Sequence, residues 1–576
     1  MFQQDLRAVG DSLALSALCA LIPLAVLFLL LGGLKVRAWI AGLVSLGVAL
    51  VVAVVLFGMP AGQGIAAAID GGLFGFFPIL WIVVNAVWIY NLTVSSGHFD
   101  VLRRSFEKVS PDQRIQAIII AFCFGALLEA LAGFGTPVAI SVVMLMSLGF
   151  HPVKAAVVAL VANTAPVAFG ALAIPIVTLA PIAAGVSDDP RLSDANALGT
   201  LGSMVGRQTP ILALVVPLIL VFIVDGRRGV RQTWVPALLS GFVFAVAQFV
   251  TANYISVQLT DIVAALLAAG SLVLLVRVWQ PAEVLTADRA EQESGDRATT
   301  RRTPSSAAGG AGTATMTGSG SDAARPSADD KREVLRAYAP YLVIIVIFSI
   351  TNIPAVVDFL AEKPFTYLVD FPGLDIVNSA GDPVVTQFKL NWLPAAGSLL
   401  VIAGLITMLI LKVNPARALK TYVATYVELR SAIITVMAVL ALAYVMNLSG
   451  QTASLGAWLA GTGAAFAIIS PILGWIGVAV TGSDTSSNSL FGALQVQAAA
   501  KAGLDPVLMA AANSSGGVLG KMVSPQNLAI AAAAVGMSGR EGEIFRKVIG
   551  WSLLLLVLMC IIVGLQSTGV LGWMVP

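Results

Sequence analysis

Lys521 is a cation in the middle of an apolar tract, within a segment that reads NSSGGVLGKMVSPQN from Asn513 to Asn527. A Lys at the bilayer centre costs roughly 2.5 kcal/mol or more. Gly and Pro at this density also free backbone groups that lipid cannot satisfy, so the segment must face protein or water. Such a segment reads as half of a binding site, and its fixed positive charge suits an anion such as a carboxylate. Two roles fit Lys521: holding the carboxylate of a cargo, or an internal ion pair with Asp484 or Glu129 that keeps two helices in register. Glu129, in GALLEALAGFG, and Asp484, in TGSDTSSN, are the acids deepest in the apolar chain. Either suits the uptake of a coupling proton. Asp484 also stands before Thr485–Asn488 in the manner of a helix N-cap. Side-chain hydrogen-bonding groups near these charges come from Thr136, Asn163, Thr164, Ser486, Ser487, Asn488, Asn513, Ser514 and Ser515.

These residues cluster where helices are expected to break. Gly133-Phe134-Gly135-Thr136-Pro137 interrupts one apolar tract and Asn163-Thr164-Ala165-Pro166 the next. Later in the chain, Gly482–Asn488 is followed by Asn513-Ser514-Ser515, with intervals of 30 positions (Gly133 to Asn163) and 31 (Gly482 to Asn513). Interrupted apolar segments at corresponding places in two halves point to the binding site of a secondary transporter. Broken helices offer N–H groups and positive dipole ends to anions and unwound carbonyls to cations.

The whole composition agrees with a membrane setting. Hydrophobic residues make up 58% of the 576 and charged residues 11%, and the mean hydropathy of +0.91 lies far outside the soluble range. Net charge of +2 carries no signature of a nucleic-acid partner. Cys19, Cys123 and Cys560 lie far apart in apolar runs, and the two His, at 98 and 151, sit at span ends. Neither a disulfide framework, a metal or haem centre nor a catalytic triad can be assembled from them, so no cofactor and no enzymatic activity are expected. The first apolar run, about 12–31, follows an n-region with more acid than base and precedes no small-residue cleavage site, so it reads as a span.

Spans of about 20 apolar residues are expected near 12–31, 37–58, 72–95, 209–224, 234–251, 259–278, 338–353, 395–413, 431–449 and 548–570. Two broken regions, 115–180 and 455–535, lie between them. Short loops rich in Lys and Arg mark the cytoplasmic side: Lys35 and Arg37; Arg103, Arg104, Lys108 and Arg114; Arg227, Arg228 and Arg231; Lys412, Arg417, Lys420 and Arg430; Arg540, Arg546 and Lys547. Parity then makes 115–180 cross from inside to outside and 455–535 from outside to inside. The fold class expected is an all-α polytopic membrane protein. It is an inverted-repeat secondary transporter with interrupted helices or re-entrant hairpins and about 12–14 membrane segments. Its parts are a first half at 1–225, connecting spans at 226–279, a cytoplasmic linker at 280–337 and a second half at 338–576. The linker, rich in Gly, Ser, Ala and Thr, lacks the apolar surface needed to order. Residues 354–394, with Phe365, Tyr367, Phe371 and Trp392, read as a folded extracytoplasmic loop. Arg207-Gln208-Thr209-Pro210 reads as the outer opening of the span at 209, and Trp81, Trp88 and Tyr90 as an interfacial anchor and packing cluster.

At GALLEALAGFGTPVAI, VANTAPVAFGALAIPI, VGRQTP, TGSDTSSNSLFGALQ and AANSSGGVLGKMVSPQNLAIA, along almost the whole chain, the sequence resembles the bacterial L-lactate permease family. The resemblance implies uptake of lactate and, for relatives, glycolate, by proton symport across the bacterial inner membrane. It also implies likeness to inverted-repeat ion transporters that are often dimers, so the partners implied are a small monocarboxylate, a proton, the bilayer and a second copy. The competing transport reading is a sodium-coupled carboxylate carrier or a cation/proton antiporter of similar architecture; a fixed cation at Lys521 disfavours a pure cation carrier.

The parity argument predicts that, in a background without the native Cys, Ser321→Cys reacts with an impermeant thiol reagent only from the cytoplasm and Ser379→Cys only from outside. Reaction of both from one side contradicts it.

Overall fold

The computed structural model describes the chain from Met1 to Pro576 apart from 35, 108, 134, 287–330, 352, 382, 385 and 538–539. Most of the expected linker therefore lies outside the described residues. In chain order the helices are α1 Leu13–Leu31, α2 Ala38–Leu56, α3 Ala61–Ser95, α4 His98–Glu107 and α5 Gln113–Leu131. They continue with α6 Thr136–Ser147, α7 Pro152–Ala162, α8 Gly170–Ala184, α9 Ala197–Tyr254 and α10 Thr260–Val278. After the linker come α11 Lys331–Thr351, α12 Pro354–Ala361, α13 Ala396–Ile410, α14 Pro415–Leu448 and α15 Gln451–Leu459. The last are α16 Phe466–Thr481, α17 Asp484–Ala502, α18 Pro506–Gly520, α19 Pro525–Ala534 and α20 Glu541–Gln566. Among the described residues, 11 helical stretches are long and apolar enough to cross a membrane.

Local sequence sets many of these boundaries. Asp505 and Ser524 each cap a helix that starts with Pro, accepting from Leu508 N–H and Asn527 N–H respectively. The long α9 joins two expected spans, and its backbone leaves the helical region at Gly226 and Thr233, beside the Arg227–Arg231 cluster. Its first helical residue is Ala197, so Arg207–Pro210 lies within the helix rather than at its start. Gln208 and Thr209 are buried, and Arg207 is fastened to the Asn253 side chain and the Met574 carbonyl. The segment between α12 and α13, expected to be a folded loop, holds short strands. Tyr367–Asp370 pairs antiparallel with Gln387–Leu390, and Ile376–Val377 pairs in parallel with Phe2–Gln3. Tyr, Phe, Val and Ile on short segments bounded by Gly and Pro favour strands there. The aromatic cluster is packing: Trp88 is 5% exposed, meets Tyr422 edge-on and donates its indole N–H to the Ala418 carbonyl.

The two broken regions have the same order of parts. In the first, α5 and α6 form a hairpin with Gly133 and Gly135 at its tip, Gly135 at φ +87°. The open ends of that hairpin meet, as the Gln113 amide donates to the Leu148 carbonyl at 3.2 Å. α7 then runs to a break at 163–169, and α8 continues. In the second, α16 and α17 form a hairpin with Gly482 (φ +78°) at its tip, tied across by Gln495 to the Ser470 carbonyl at 3.1 Å. α18 runs to a break at Lys521–Ser524, followed by α19. A position with positive φ favours Gly because it has no Cβ to clash.

One expectation is corrected by this arrangement. Asn513, Ser514 and Ser515 do not interrupt the chain but sit inside α18, and the break comes at its end. The glycines around them serve close helix packing. A Cβ on Gly474 of α16 would lie 1.9 Å from the Asn513 carbonyl oxygen, and one on Gly516 would lie 2.2 Å from the Pro471 carbonyl oxygen. α16 and α18 therefore approach backbone to backbone, as small residues permit in membranes.

Polar clamps hold the ends of the broken helices. Fully buried Arg114 binds Asp112, Asp225, Gln232 and the Glu283 carbonyl, joining the start of α5 to the kink of α9 and the start of the linker. On the opposite end Arg191 binds Asp189 and Asp505, the cap of α18. Hydrogen bonds from Arg191 hold the Asp189 carboxyl below its ordinary value.

Gly474→Val should abolish close packing of α16 on α18, whereas Gly461→Ala, where a Cβ meets nothing within 4 Å, should be tolerated. Overpacking typically costs about 1–3 kcal/mol and more against backbone. The expected result is a large loss of monodisperse protein, or of its melting temperature in detergent, for Gly474→Val only. Equal behaviour of the two variants contradicts the packing argument.

Candidate functional site

The site is assembled where the first hairpin and the first break meet the second break. Glu129 lies on α5 one turn before the tip, with 3% exposure, and Lys521 begins the second break, with 6%. The Lys521 ammonium donates to Glu129 Oε1 at 2.5 Å, and the Asn163 amide donates to Glu129 Oε2 at 2.9 Å. Each carboxylate oxygen is thereby assigned to a different break, one from each half of the chain. Of the two partners expected for Lys521, the structure selects Glu129. Charge-assisted bonds of this kind are the strong ones, and a buried charge needs them because it has no water.

The backbone leaves room for this carboxylate. A Cβ on Gly170 would sit 2.9 Å from Glu129 Oε1, and one on Gly133 would sit 3.5 Å from it. Immediately after Gly170, Ala171, Leu172 and Ala173 adopt φ of 45°, 61° and 60°. A left-handed turn of three non-glycine residues costs roughly 1–2 kcal/mol per residue. Such strain accumulates at functional sites, and no residue type in AFGALAIP announces it.

Asp484 occupies a second, adjacent cluster. Its Oδ2 accepts from the Ser514 hydroxyl at 2.6 Å, and its buried Oδ1 has no hydrogen-bond partner. The expected capping role falls one residue earlier: Ser483 is the N-cap of α17 and accepts from Ser486 N–H, leaving Asp484 in the first turn. A carboxylate there is favoured by the helix dipole.

The other expected ligands divide into two kinds. Asn513 donates to Asn488 Oδ1 and accepts from Gln495, Asn488 donates to the Pro175 carbonyl, and Ser487 donates to the Gly474 carbonyl. Thr164 returns its hydroxyl to the Val161 carbonyl of its own helix. These side chains are committed to tying helices together. Ser515 Oγ and Asn163 Oδ1, by contrast, are buried atoms with no partner. Thr136 is half-buried at the hairpin tip, and the Ser486 side chain is buried near the second tip. Polar accessibility at the tips and the second break is provided by half-buried Thr136, Ser483 and Thr485 and by exposed Gln526.

Three participants were missed in the sequence. Asn527 donates to the Lys521 carbonyl and to Ser524, and its Oδ1 is buried without a partner. The sequence marks it only as the end of the polar segment. Gln495 and Gln248 lie well inside helices, away from the break residues themselves, and only a three-dimensional neighbour gives them a role. Among the described residues, no group of three or more His, Cys, Asp or Glu is arranged to hold a metal ion.

The family model for L-lactate permease matches residues 16–569. The chain is 39% identical to the L-lactate permease of Bacillus subtilis, over all of this chain and 99% of that protein. It is 41% identical to the glycolate permease GlcA of Escherichia coli, over 98% of each. Among solved structures, the YdaH transporter of Alcanivorax borkumensis aligns with a TM-score of 0.41 at 14% identity, covering 86% of each chain.

Loss of one member of the Lys521–Glu129 pair leaves a buried charge uncompensated, which typically costs about 3–5 kcal/mol. Lys521→Gln and Glu129→Gln should each lower the melting temperature in detergent, and the double variant should recover most of that loss. Additive losses in the double variant contradict a direct pair. Lys521→Gln with Asp484→Asn should give no such recovery.

Proposed function

The chain belongs to the L-lactate permease family, and we propose on that premise that it takes up L-lactate and related 2-hydroxymonocarboxylates, D-lactate and glycolate, by proton symport. Family membership with its many apolar helices makes it a multi-pass transporter of the bacterial inner membrane.

The observation that carries the reading is the single ammonium of Lys521 held by the single carboxylate of Glu129 at the meeting of two breaks. In a low-dielectric site one ammonium neutralises one carboxylate. An arriving lactate carboxylate competes with Glu129 for Lys521. The surplus negative charge is removed when Glu129 takes up a proton, so the ammonium donates to the cargo and Glu129 becomes a neutral acid. Anion and proton then enter together, one to one. Asn163 Oδ1 and Asn527 Oδ1, buried and without partners beside this pair, are suited to accept from the 2-hydroxyl of the cargo. Asp484, the other acid expected to carry the proton, stands on α17 against Ser514 and serves as the second proton group. The division into halves at 1–225 and 338–576 with reversed orientation belongs to the same proposal, as alternating access pivots on such repeats.

Uptake of labelled L-lactate, D-lactate and glycolate into proteoliposomes with imposed pH or sodium gradients tests this. Accumulation should follow the proton gradient without sodium; sodium-driven, pH-independent uptake overturns it. Lys521→Gln should raise the apparent lactate constant by roughly 100-fold or abolish uptake, as loss of several kcal/mol requires. Lys521→Arg should recover only part, since a planar guanidinium does not replace a compact ammonium.

A further inference from the structure

A third acid lies behind the first break, where neither the charge pair nor Asp484 makes use of it. Asp261, in the first turn of α10, has no exposure, and its Oδ2 is buried without a hydrogen-bond partner. Its Oδ1 accepts from the Gln248 amide of α9 at 3.3 Å. The same amide nitrogen donates to the carbonyl of Ala165, inside the 163–169 break, also at 3.3 Å. Gln248 is itself fully buried and accepts from the Thr209 hydroxyl at 3.3 Å. The two amide hydrogens serve one acceptor each, and both bonds lie at the long end of the hydrogen-bond range, so the amide is stretched between Asp261 and Ala165.

The charged groups acting on Asp261 are Glu129 of α5 and Lys521 at the second break. Three buried carboxyls therefore feel one ammonium, Glu129 in direct contact and Asp484 and Asp261 through longer-range attraction. An uncompensated buried carboxylate is far costlier than a neutral acid, and like charges near one another cannot all stay ionised. Asp261 has no cation of its own in contact, and its free Oδ2 is available to carry a proton.

We propose that Asp261 is a proton-binding positioning residue that reports its protonation state to the first break through Gln248. This rests on the proton-symport reading and adds a group to it. When Asp261 is ionised it is the stronger acceptor and draws the Gln248 amide toward itself, away from the Ala165 carbonyl. When Oδ2 takes up a proton, Oδ1 becomes a weaker acceptor and the Gln248 amide settles closer to the Ala165 carbonyl. Ala165 is two residues from Asn163, which holds Glu129 Oε2. Protonation of Asp261 therefore fixes the break that orients Asn163 and Glu129 before cargo displaces Glu129 from Lys521. Asp261 touches neither Lys521 nor the cargo; it acts through the break.

The test uses the purified full chain in proteoliposomes, with lactate counterflow at equal pH and lactate accumulation under a pH gradient measured side by side. Asp261→Asn cannot titrate and should keep counterflow within about threefold of the wild type and lose the pH dependence of its apparent lactate constant. Asp261→Glu should restore the pH dependence. Gln248→Met should flatten the pH profile as Asp261→Asn does, and it decides the matter if Asp261→Asn does not fold. A wild-type pH profile in Asp261→Asn, or in a folded Gln248→Met, overturns the inference while leaving proton symport standing. Wild-type uptake indifferent to a proton gradient overturns the symport reading itself, and the inference with it.

Discussion

The Lys521–Glu129 bond is the constraint around which the molecule is arranged. It joins residues 392 positions apart, and neither charge is stable at this depth alone. Each demands that the other's helix end be present, so the first hairpin and the second break must be held together with an accuracy of a few tenths of an ångström. Asn163 adds the third element to the same carboxylate. The two halves of the chain consequently share one site rather than owning one each.

Holding that site requires rigid surroundings, and the chain supplies them by close packing rather than by bulk. Backbones of α16 and α18 touch at Gly474 and Gly516. The amides of Asn513, Asn488 and Gln495 then span the narrow gap, with Asn488 reaching the Pro175 carbonyl of the first half. Small residues permit the approach and amides lock it, a division of labour common to helices in membranes. Lys521 follows directly from the clamped part of α18, so the clamp sets where the ammonium stands.

Much of this was legible in the sequence because membrane physics leaves few choices. Uninterrupted apolar runs spelled the spans, and Asp-Pro and Ser-Pro pairs at 505–506 and 524–525 spelled helix starts. Gly135 and Gly482 marked the hairpin tips. The candidate site was legible as a set of charged residues, since Lys521, Glu129 and Asp484 have no reason to be in apolar tracts unless they are used. Which of the two acids pairs with Lys521 was not, because it depends on which helix ends meet. Asn513–Ser515 misled for a physical reason: polar and Gly residues signal either a break or a tight helix contact, and only the neighbour, here α16, distinguishes them. The left-handed turn at Ala171–Ala173 had no signal at all, since Ala and Leu are ordinary helix formers and the surroundings impose the conformation. Asp261 lay at the start of an ordinary-looking span, and its partner Gln248 sits 13 residues earlier on another helix.

The ratio of charges also constrains what such a site can carry. With one buried ammonium and several buried carboxyls, the region is short of positive charge, and an incoming anion worsens the imbalance unless a proton accompanies it. A site built with a surplus of Lys or Arg would bind a carboxylate more tightly but release it less readily, and would leave no acid for a proton to occupy. Using a carboxylate of its own to fill the ammonium keeps the empty site neutral, so the protein does not depend on cargo to stay folded. In the proposed mechanism the cargo also replaces a bond of the same kind that it forms. The net change on binding is then small, which suits a carrier that must let go on the other side, and under the proposed symport the free energy of the accompanying proton sets the direction of transport.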